Sequence, residues 1–445
     1  MNSSGEERRD LKMHGEASGG FDAKLYRNVY VLSLTMGAML LFFGWQGYLP
    51  LYIGALGADP TEIGLFFMVA TLAHALSGIP LSRISDRSGR KKFVVAGTML
   101  MGFAYLSYYL FGSWSLLMIP TWVLLMIPMF IEQLLHAAYI NPMTALLSES
   151  APPDKRGRAN GLFQMIAGAI SIIAPVLSAY LIDGGSMVTV MPYLFLMTGA
   201  IVVAMGLARW AMLRETLSLT PIPARHRTKL QEDIGRTGSV SPKDGQLLTD
   251  GGELKSHAML GLYAYIAIAS LLVATINYFM VVYNSEVIGL GNLDLGIWMA
   301  IGGGIFAAAQ IPAGRLADGK HKKGLLLASM LMYGSAIAVY LSATDLLGVL
   351  LSQVPLSIAN AVTFNVEFTM LAAYTSSRNR STAFSVQTAI FDLTATPGPL
   401  IGGLLYGIGS HQVPFVFSLL LTIPGFLVGL FLVSGSVQGR KLAPT

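Results

Sequence analysis

The sequence contains no cysteine and little charge. Of its 445 residues none is Cys, and Asp, Glu, Lys and Arg make up 12%, whereas a soluble domain carries about 25%. The missing thiols exclude disulfides and thiolate chemistry. Because 53% of the residues are hydrophobic and form many runs of about 20 residues, the composition predicts an integral membrane protein.

Signatures of other protein classes are also missing. The sequence has no His-Glu-x-x-His motif, no Ser–His constellation and no paired aspartates in its apolar runs. We therefore expect no enzyme, no bound metal and no organic cofactor. Residues 1–27 lack the apolar core of a signal peptide. In a membrane protein the net charge of +5 indicates topology rather than a nucleic-acid partner.

The apolar runs predict an all-α membrane protein with twelve transmembrane helices in two six-helix bundles. Runs begin near Asn28, Thr61, Phe93, Ser115, Ala159, Val188, Ala258, Gly291, Gly324, Leu346, Ser381 and Val413. The predicted regions are a tail (1–27), a first bundle (28–213), a linker (214–257), a second bundle (258–434) and a tail (435–445). Regions rich in Pro, Gly, Ser and charge, such as this linker, are flexible connections.

The distribution of positive charge predicts the orientation. With the N-terminus inside, all 29 Lys and Arg fall in segments on the cytoplasmic side. The opposite side has acids such as Asp59, Asp183, Glu286 and Asp345. By the positive-inside rule both termini are expected in the cytoplasm, and the cell membrane is the expected location.

The two halves of the chain repeat each other. Arg83 and Asp86 match Arg315 and Asp318 at an offset of 232 residues. Later in each half, Asn141 and Pro175 match Asn365 and Pro399 at an offset of 224. Two similar halves can rock about a shared site near the membrane midplane, which gives alternating access.

These features resemble the major facilitator superfamily. Its basic turn after the second helix is present as Ser82–Lys91, and its loop after the fourth helix as Pro152–Gly161. The resemblance implies the twelve-helix fold, transport of a small organic solute across the lipid bilayer, and function as a monomer. It also implies a cytoplasmic gate motif formed by Asp86, Arg87 and Arg90, with Arg315 and Asp318 as its second copy. The alternative is that these charges only anchor the topology.

Ionisable residues within apolar helices are costly and therefore candidates for function. Glu132 and His136 are four residues apart in the fourth run, so we expect them on one face, either handling protons or substrate or locking that helix to a neighbour. Asp392 precedes Thr396-Pro397-Gly398-Pro399, which predicts a bent helix serving as a hinge or a site. Glu367 is predicted nearer the cytoplasm, facing an inward cavity.

Amide and aromatic side chains predict a cavity for an organic solute. The candidates are Gln46, Asn277, Tyr278, Asn360 and Asn365. The sequence places no Lys or Arg at the predicted midplane, which favours neutral or cationic solutes over anions.

The predicted function is a secondary active transporter, a proton-coupled exporter of hydrophobic or cationic compounds driven by the proton gradient. Within the superfamily the sequence most resembles the drug/proton antiporter branch. However, the Arg that these antiporters often carry in helix 4 is absent, since its position falls near Phe130. The alternatives are uptake of a neutral metabolite, such as a sugar or nucleoside, and a membrane sensor of the same fold that does not transport.

Overall fold

The computed structural model describes residues 23–113, 119–151, 156–216, 252–375 and 380–433, and the described part is helical. The helices are α1a (Ala23–Leu41), α1b (Leu49–Ala55), α2 (Pro60–Ser88), α3 (Arg90–Ser113), α4 (Thr121–Glu149), α5 (Arg156–Asp183), α6 (Met187–Met212), α7 (Gly252–Glu286), α8 (Asn292–Ala317), α9 (Lys322–Leu341), α10 (Leu346–Tyr374), α11a (Arg380–Ala395), α11b (Gly398–Gly407) and α12 (Val413–Phe431). A short 3₁₀ helix, Gly44–Tyr48, joins α1a to α1b.

These helices form twelve spans. Nine helical segments of the described chain, including α1a–α1b as one unit, are long and apolar enough to cross a membrane. The other three spans are α2 and α4, each with a shorter apolar segment (Pro60–Leu76 and Thr121–His136), and α11, which is broken into two pieces. The predicted fold class is confirmed. Individual starts differ, since α7 begins at Gly252 within the predicted linker and α4 begins at Thr121.

The break in α11 follows from its proline residues. Pro397 and Pro399 have no backbone N–H, so the hydrogen bonds that they would donate in a continuous helix cannot form. Asp392 is the last titratable residue before the break, and its carbonyl accepts from Thr396 N at 3.0 Å. The second segment starts its own hydrogen-bond ladder with Ile401 N donating to Pro397 O at 2.9 Å.

The helices pack as two bundles with equivalent internal contacts. In the first bundle α1a packs on α5, α2 on α4, and α3 on α4 and α6; in the second, α7 packs on α11, α8 on α10, and α9 on α10 and α12. Two further packed pairs, α5 with α8 and α2 with α11, join the bundles and are equivalent under the repeat.

One end of the molecule carries acids that cap helices, and we call it the acidic end. Asp59 accepts from Glu62 N at 2.8 Å, and Glu62 accepts from Asp59 N at 2.8 Å. Asp345 accepts from Gly348 N at the start of α10. Carboxylates are stabilised at helix N-termini by unpaired N–H groups and the helix dipole. The opposite end, with Arg90, Arg315 and Lys323, is called the basic end.

The bundles touch at the acidic end. Tyr48 Oη lies 3.0 Å from the carbonyl oxygen of Asn292 and 3.1 Å from that of Pro175. Asn292 Nδ2 in turn donates to Asp183 Oδ1 at 2.8 Å. On the other side of the molecule, Gly64 of α2 and Gly403 of α11b each lie against the backbone of the opposing helix. These contacts close the acidic end.

Candidate functional site

An ion pair joins the two bundles midway along the spans. His74 of α2 and Asp392 of α11a approach to 3.6 Å between Nδ1 and Oδ2. Their side chains are 34% and 14% exposed, so the pair is partly shielded from solvent. Asp392 was predicted to be functional, whereas His74 was not singled out. The sequence did contain a signal for His74, which is an ionisable residue in the middle of an apolar run, at the fifteenth position of α2.

Glu132 and His136 lie next to this pair but face different neighbours. Glu132 is 2% exposed and accepts hydrogen bonds from Tyr105 and Tyr108 of α3, both at 3.2 Å. The His136 ring lies 5.9 Å from the ring of His74, centroid to centroid. The two residues, which were predicted to share a face, therefore contact different helices: Glu132 contacts α3 and His136 lies near α2. This is possible because α4 packs on both. We call Glu132, His136, His74 and Asp392 the titratable core.

A chamber lies between the bundles on the acidic side of the titratable core. Its volume is about 310 Å³, and three predicted cavity residues line it: Gln46, Asn277 and Tyr278. The Tyr278 ring stacks on Phe67 of α2 with centroids 3.8 Å apart and an interplanar angle of 12°. The lining is completed by Gly47, Pro50, Met129, Gln133, Val281, Trp298 and Met299. Three amides and a phenol here can hydrogen-bond a neutral solute.

A second cavity, of about 460 Å³, lies within the second bundle and contains Glu367. Its polar lining consists of Ser270, Tyr333, Gln353, Ser357, Asn360, Thr363 and Glu367. Asn360 accepts a hydrogen bond from Tyr333 Oη at 2.7 Å. Asn365 does not line this cavity, since its amide donates to Gln310 Oε1 and to the carbonyl of Ala361. We call this the second-bundle cavity.

A third cavity, of about 420 Å³, lies within the first bundle. Its lining is mostly apolar: Met36, Leu40, Ile140, Met143, Thr144, Leu147, Phe163, Gln164, Ala167 and Gly168. No charged side chain of the described chain lines it. We call this the first-bundle cavity.

The basic-end motif is described in part. Arg90 pairs with Glu149 at the end of α4, with 2.7 Å between Nη1 and Oε1. Glu215 caps the start of α3 by accepting from the N–H groups of Arg90 and Lys91, both at 3.1 Å. The predicted motif residues Asp86 and Arg87 are not among the side chains that the structure describes. In the second copy, Arg315 and Asp318 are exposed, and the described residues place neither in an ion pair.

One arginine lies inside the first bundle rather than at its surface. The sequence assigned Arg209 to a cytoplasmic segment, but its side chain is 0% exposed. Its Nε donates to Thr35 Oγ1 at 2.9 Å and its Nη1 to Thr98 Oγ1 at 2.7 Å. These bonds tie α6 to α1a and α3. In the described part of the chain no group of three or more metal-ligating side chains is close enough to hold an ion.

Comparison with known proteins identifies the family. Residues 34–321 and 305–444 match the model of the Major Facilitator Superfamily. An uncharacterised MFS-type transporter of Methanocaldococcus jannaschii is 37% identical over 86 residues, which are 19% of this chain and 22% of that protein. The chain thus aligns with about a fifth of that relative's length.

Solved structures share the fold at low identity. A bacterial homologue of the human lysosomal transporter Spinster, inward-facing and occupied, matches with a TM-score of 0.71 and 16% identity over 92% of this chain and 97% of that one. A D-xylose–proton symporter matches with a TM-score of 0.71 and 14% identity over 94% and 100%. The human organic anion transporter MFSD10 matches with a TM-score of 0.60 and 16% identity over 92% and 100%. The chain is a multi-pass membrane protein that belongs to the Major Facilitator Superfamily of secondary transporters.

Proposed function

We propose that the protein is a proton-coupled exporter of hydrophobic or cationic compounds, of the drug/proton antiporter type. It works as a monomer in the cell membrane with its basic end in the cytoplasm. The observation that carries this proposal is the titratable core, because it places carboxyl and imidazole groups at the boundary between the two bundles.

The ion pair between His74 and Asp392 gives protonation a mechanical consequence. An imidazolium facing a carboxylate attracts α11a towards α2, and a proton on Asp392 removes the negative partner. The pair spans the bundles, so its charge state favours one relative packing over the other. A ligand or proton shifts a conformational equilibrium through such differential interactions.

Glu132 and His136 extend this core into the first bundle. Two tyrosine hydroxyls donate to the Glu132 carboxylate, and the His136 ring lies 5.9 Å from the His74 ring. Neighbouring titratable groups of this kind influence each other's protonation. A proton that enters from the acidic end would exchange among these four groups and leave at the basic end, while the solute moves the opposite way.

Reconstituted protein tests the proton role. We expect an imposed pH gradient to drive efflux of a lipophilic cationic dye from proteoliposomes. In the His74→Gln and Asp392→Asn variants we expect this proton-driven efflux to be at least tenfold slower, while exchange of external for internal dye is retained. The Glu132→Gln variant should also change the pH profile. His411→Gln, a matched variant of an exposed histidine at the acidic end, should behave as the parent. An unchanged pH dependence in all core variants would refute the proton role.

A second candidate function is uptake of a neutral metabolite, favoured by the chamber of about 310 Å³ with its amide lining. Hydrogen-bonding groups in an uncharged chamber suit a sugar or nucleoside. Competition separates the two candidates. A neutral polyhydroxylated solute would support uptake over export if it is itself taken up with protons and inhibits dye flux. This inhibition should depend on Gln46 and Asn277, which line the chamber.

A further inference from the structure

The repeat relates part of the first-bundle cavity to part of the second-bundle cavity. At the offset of 224 residues Ile140 corresponds to Phe364, and both line their respective cavities. Ala167 corresponds in the same way to Phe391 on the next helix. The two cavities therefore overlap in part under the repeat, along α4 and α5 in the first bundle and along α10 and α11a in the second.

At two further matched positions, the first bundle has apolar side chains where the second bundle has polar ones. Met143 of the first-bundle cavity occupies the position that Glu367 holds in the second-bundle cavity. Phe163 corresponds to Gln387, which donates to Glu367 Oε2 at 3.5 Å. Where one bundle offers a thioether and a ring, the other offers a carboxylate and an amide.

Glu367 has few partners for its charge. Glu367 is 7% exposed, and the hydrogen bond that it accepts from Gln387 is long, at 3.5 Å. No Lys, Arg or His of the described chain lies within ion-pairing distance of it. A buried carboxylate without a counter-charge is costly, and a cation bound in the cavity would reduce that cost. Phe306, Phe364 and Phe391 line the same cavity, and aromatic faces attract quaternary ammonium groups.

The two cavities flank one contact between the bundles. Ile172 of α5 packs on Gly304 of α8. Gly168, one turn before Ile172, lines the first-bundle cavity, and Gly303, next to Gly304, lines the second-bundle cavity. A single elongated solute lying beside this contact can therefore reach into both.

We propose that the two cavities form one bipartite substrate site for an amphiphilic organic cation. Glu367 receives the ammonium group, and the first-bundle cavity around Met143 receives the apolar tail. This rests on the proposed transport of hydrophobic or cationic compounds and names the chemistry of the substrate. It also gives each bundle one end of the solute, so the occupied site links the bundles during their movement.

Equilibrium binding to purified protein in nanodiscs tests the site without any proton gradient. The probe is octyltrimethylammonium, with empty nanodiscs subtracted; tetramethylammonium supplies the head alone and 1-octanol the tail without charge. We expect Glu367→Gln to weaken binding of the full probe at least tenfold. Glu367→Asp should restore part of it. Glu286→Gln, an acid of the acidic end, should leave binding unchanged.

The tail is tested separately. Met143→Ala should weaken octyltrimethylammonium about fivefold through lost apolar contact and leave tetramethylammonium unaffected. A single cooperative thermal unfolding transition in each ligand-free variant shows that it folds. If Glu367→Gln binds the probe as tightly as the parent, the bipartite site is wrong, and a change only in its flux–pH profile would assign Glu367 to protons instead. If binding behaves as expected while flux ignores the pH gradient, the site stands and the proposed proton coupling fails.

Discussion

Replacement of Gly403 by alanine is expected to open the acidic end without weakening either bundle. A Cβ atom on Gly403 would fall on the carbonyl oxygen of Pro60 and lie 3.1 Å from the Cα of Thr61. Both are backbone atoms of the start of α2, so no side chain can move aside. The clash is relieved when α11b separates from α2, which is the movement that opens this end.

The magnitude follows from the cost of overpacking. One additional methyl group in a closely packed contact costs roughly 1–3 kcal/mol. Since each 1.4 kcal/mol is about tenfold in an equilibrium constant, a cost of about 2 kcal/mol changes the ratio of closed to open roughly thirtyfold. If the closed form is favoured about 99 to 1, that ratio falls to about 3 to 1, and the open fraction rises roughly twentyfold.

Cysteine labelling measures this change directly, because the native chain has no cysteine. An Asn277→Cys reporter lies in the chamber beneath the closed end. A membrane-impermeant maleimide is added to intact cells, and the labelling rate is compared with and without Gly403→Ala. Ser186→Cys, exposed at the acidic end, reports whether that end faces the reagent. We expect the Asn277→Cys rate to rise roughly twentyfold in proportion to the open fraction.

Two neighbouring glycines provide matched controls. Gly407 lies on the same segment, but a Cβ there meets nothing closer than Thr61 Oγ1 at 3.9 Å, so Gly407→Ala should not change labelling. Gly402 faces α7, where a Cβ would meet the Thr275 carbonyl and the Phe279 ring. Gly402→Ala should therefore lower thermal stability. Equal labelling rates in the Gly403→Ala and Gly407→Ala variants would refute the assignment of this contact as the closure.

The remaining predictions concern the stability of the first bundle. Thr98→Val should lower the free energy of unfolding in detergent by about 1–3 kcal/mol, because it removes the acceptor from a buried guanidinium; a loss no larger than that of an exposed threonine would contradict this role of Arg209. Glu149→Gln should cost less than about 1 kcal/mol because its ion pair with Arg90 is partly hydrated, and the difference from the parent should shrink at high salt. A salt-independent loss would assign Glu149 a packing role instead.

The span count and the broken eleventh helix could be predicted because each depends on local sequence. A run of apolar residues specifies a span whatever its neighbours are, and the prolines of Thr396–Pro399 remove backbone donors wherever that helix lies. The repeat offset also carried over, since equivalent helices pack in equivalent pairs. These properties require no knowledge of how the helices are rotated.

Side-chain partners could not be predicted for the same reason. Asn360 and Asn365 are five residues apart, which is about 500° of helical rotation, so they emerge on different sides of α10: one lines a cavity and the other bonds α8. His74 and Asp392 lie far apart in sequence and meet only through the packing of α2 on α11. Even Glu132 and His136, one turn apart, contact different helices because α4 lies against two of them.

Among the described residues, the α2–α11 boundary combines two structural features that the equivalent α5–α8 boundary does not. It carries the titratable pair on α11a and the backbone contact of Gly403 on α11b, and the break at Thr396–Pro397 separates them. Without continuous hydrogen bonds across the break, α11a and α11b are not rigidly joined. Under the proposed coupling, a change in the His74–Asp392 pair would act on α11a, while α11b keeps its own contact with Pro60. Opening of the acidic end then requires a second event, the separation of α11b. A solute bound in both bundles supplies a means to link these events, since it pulls on α10 and α4 together. Protonation alone would thus move one half of the boundary, and transport would need proton and solute to act on both.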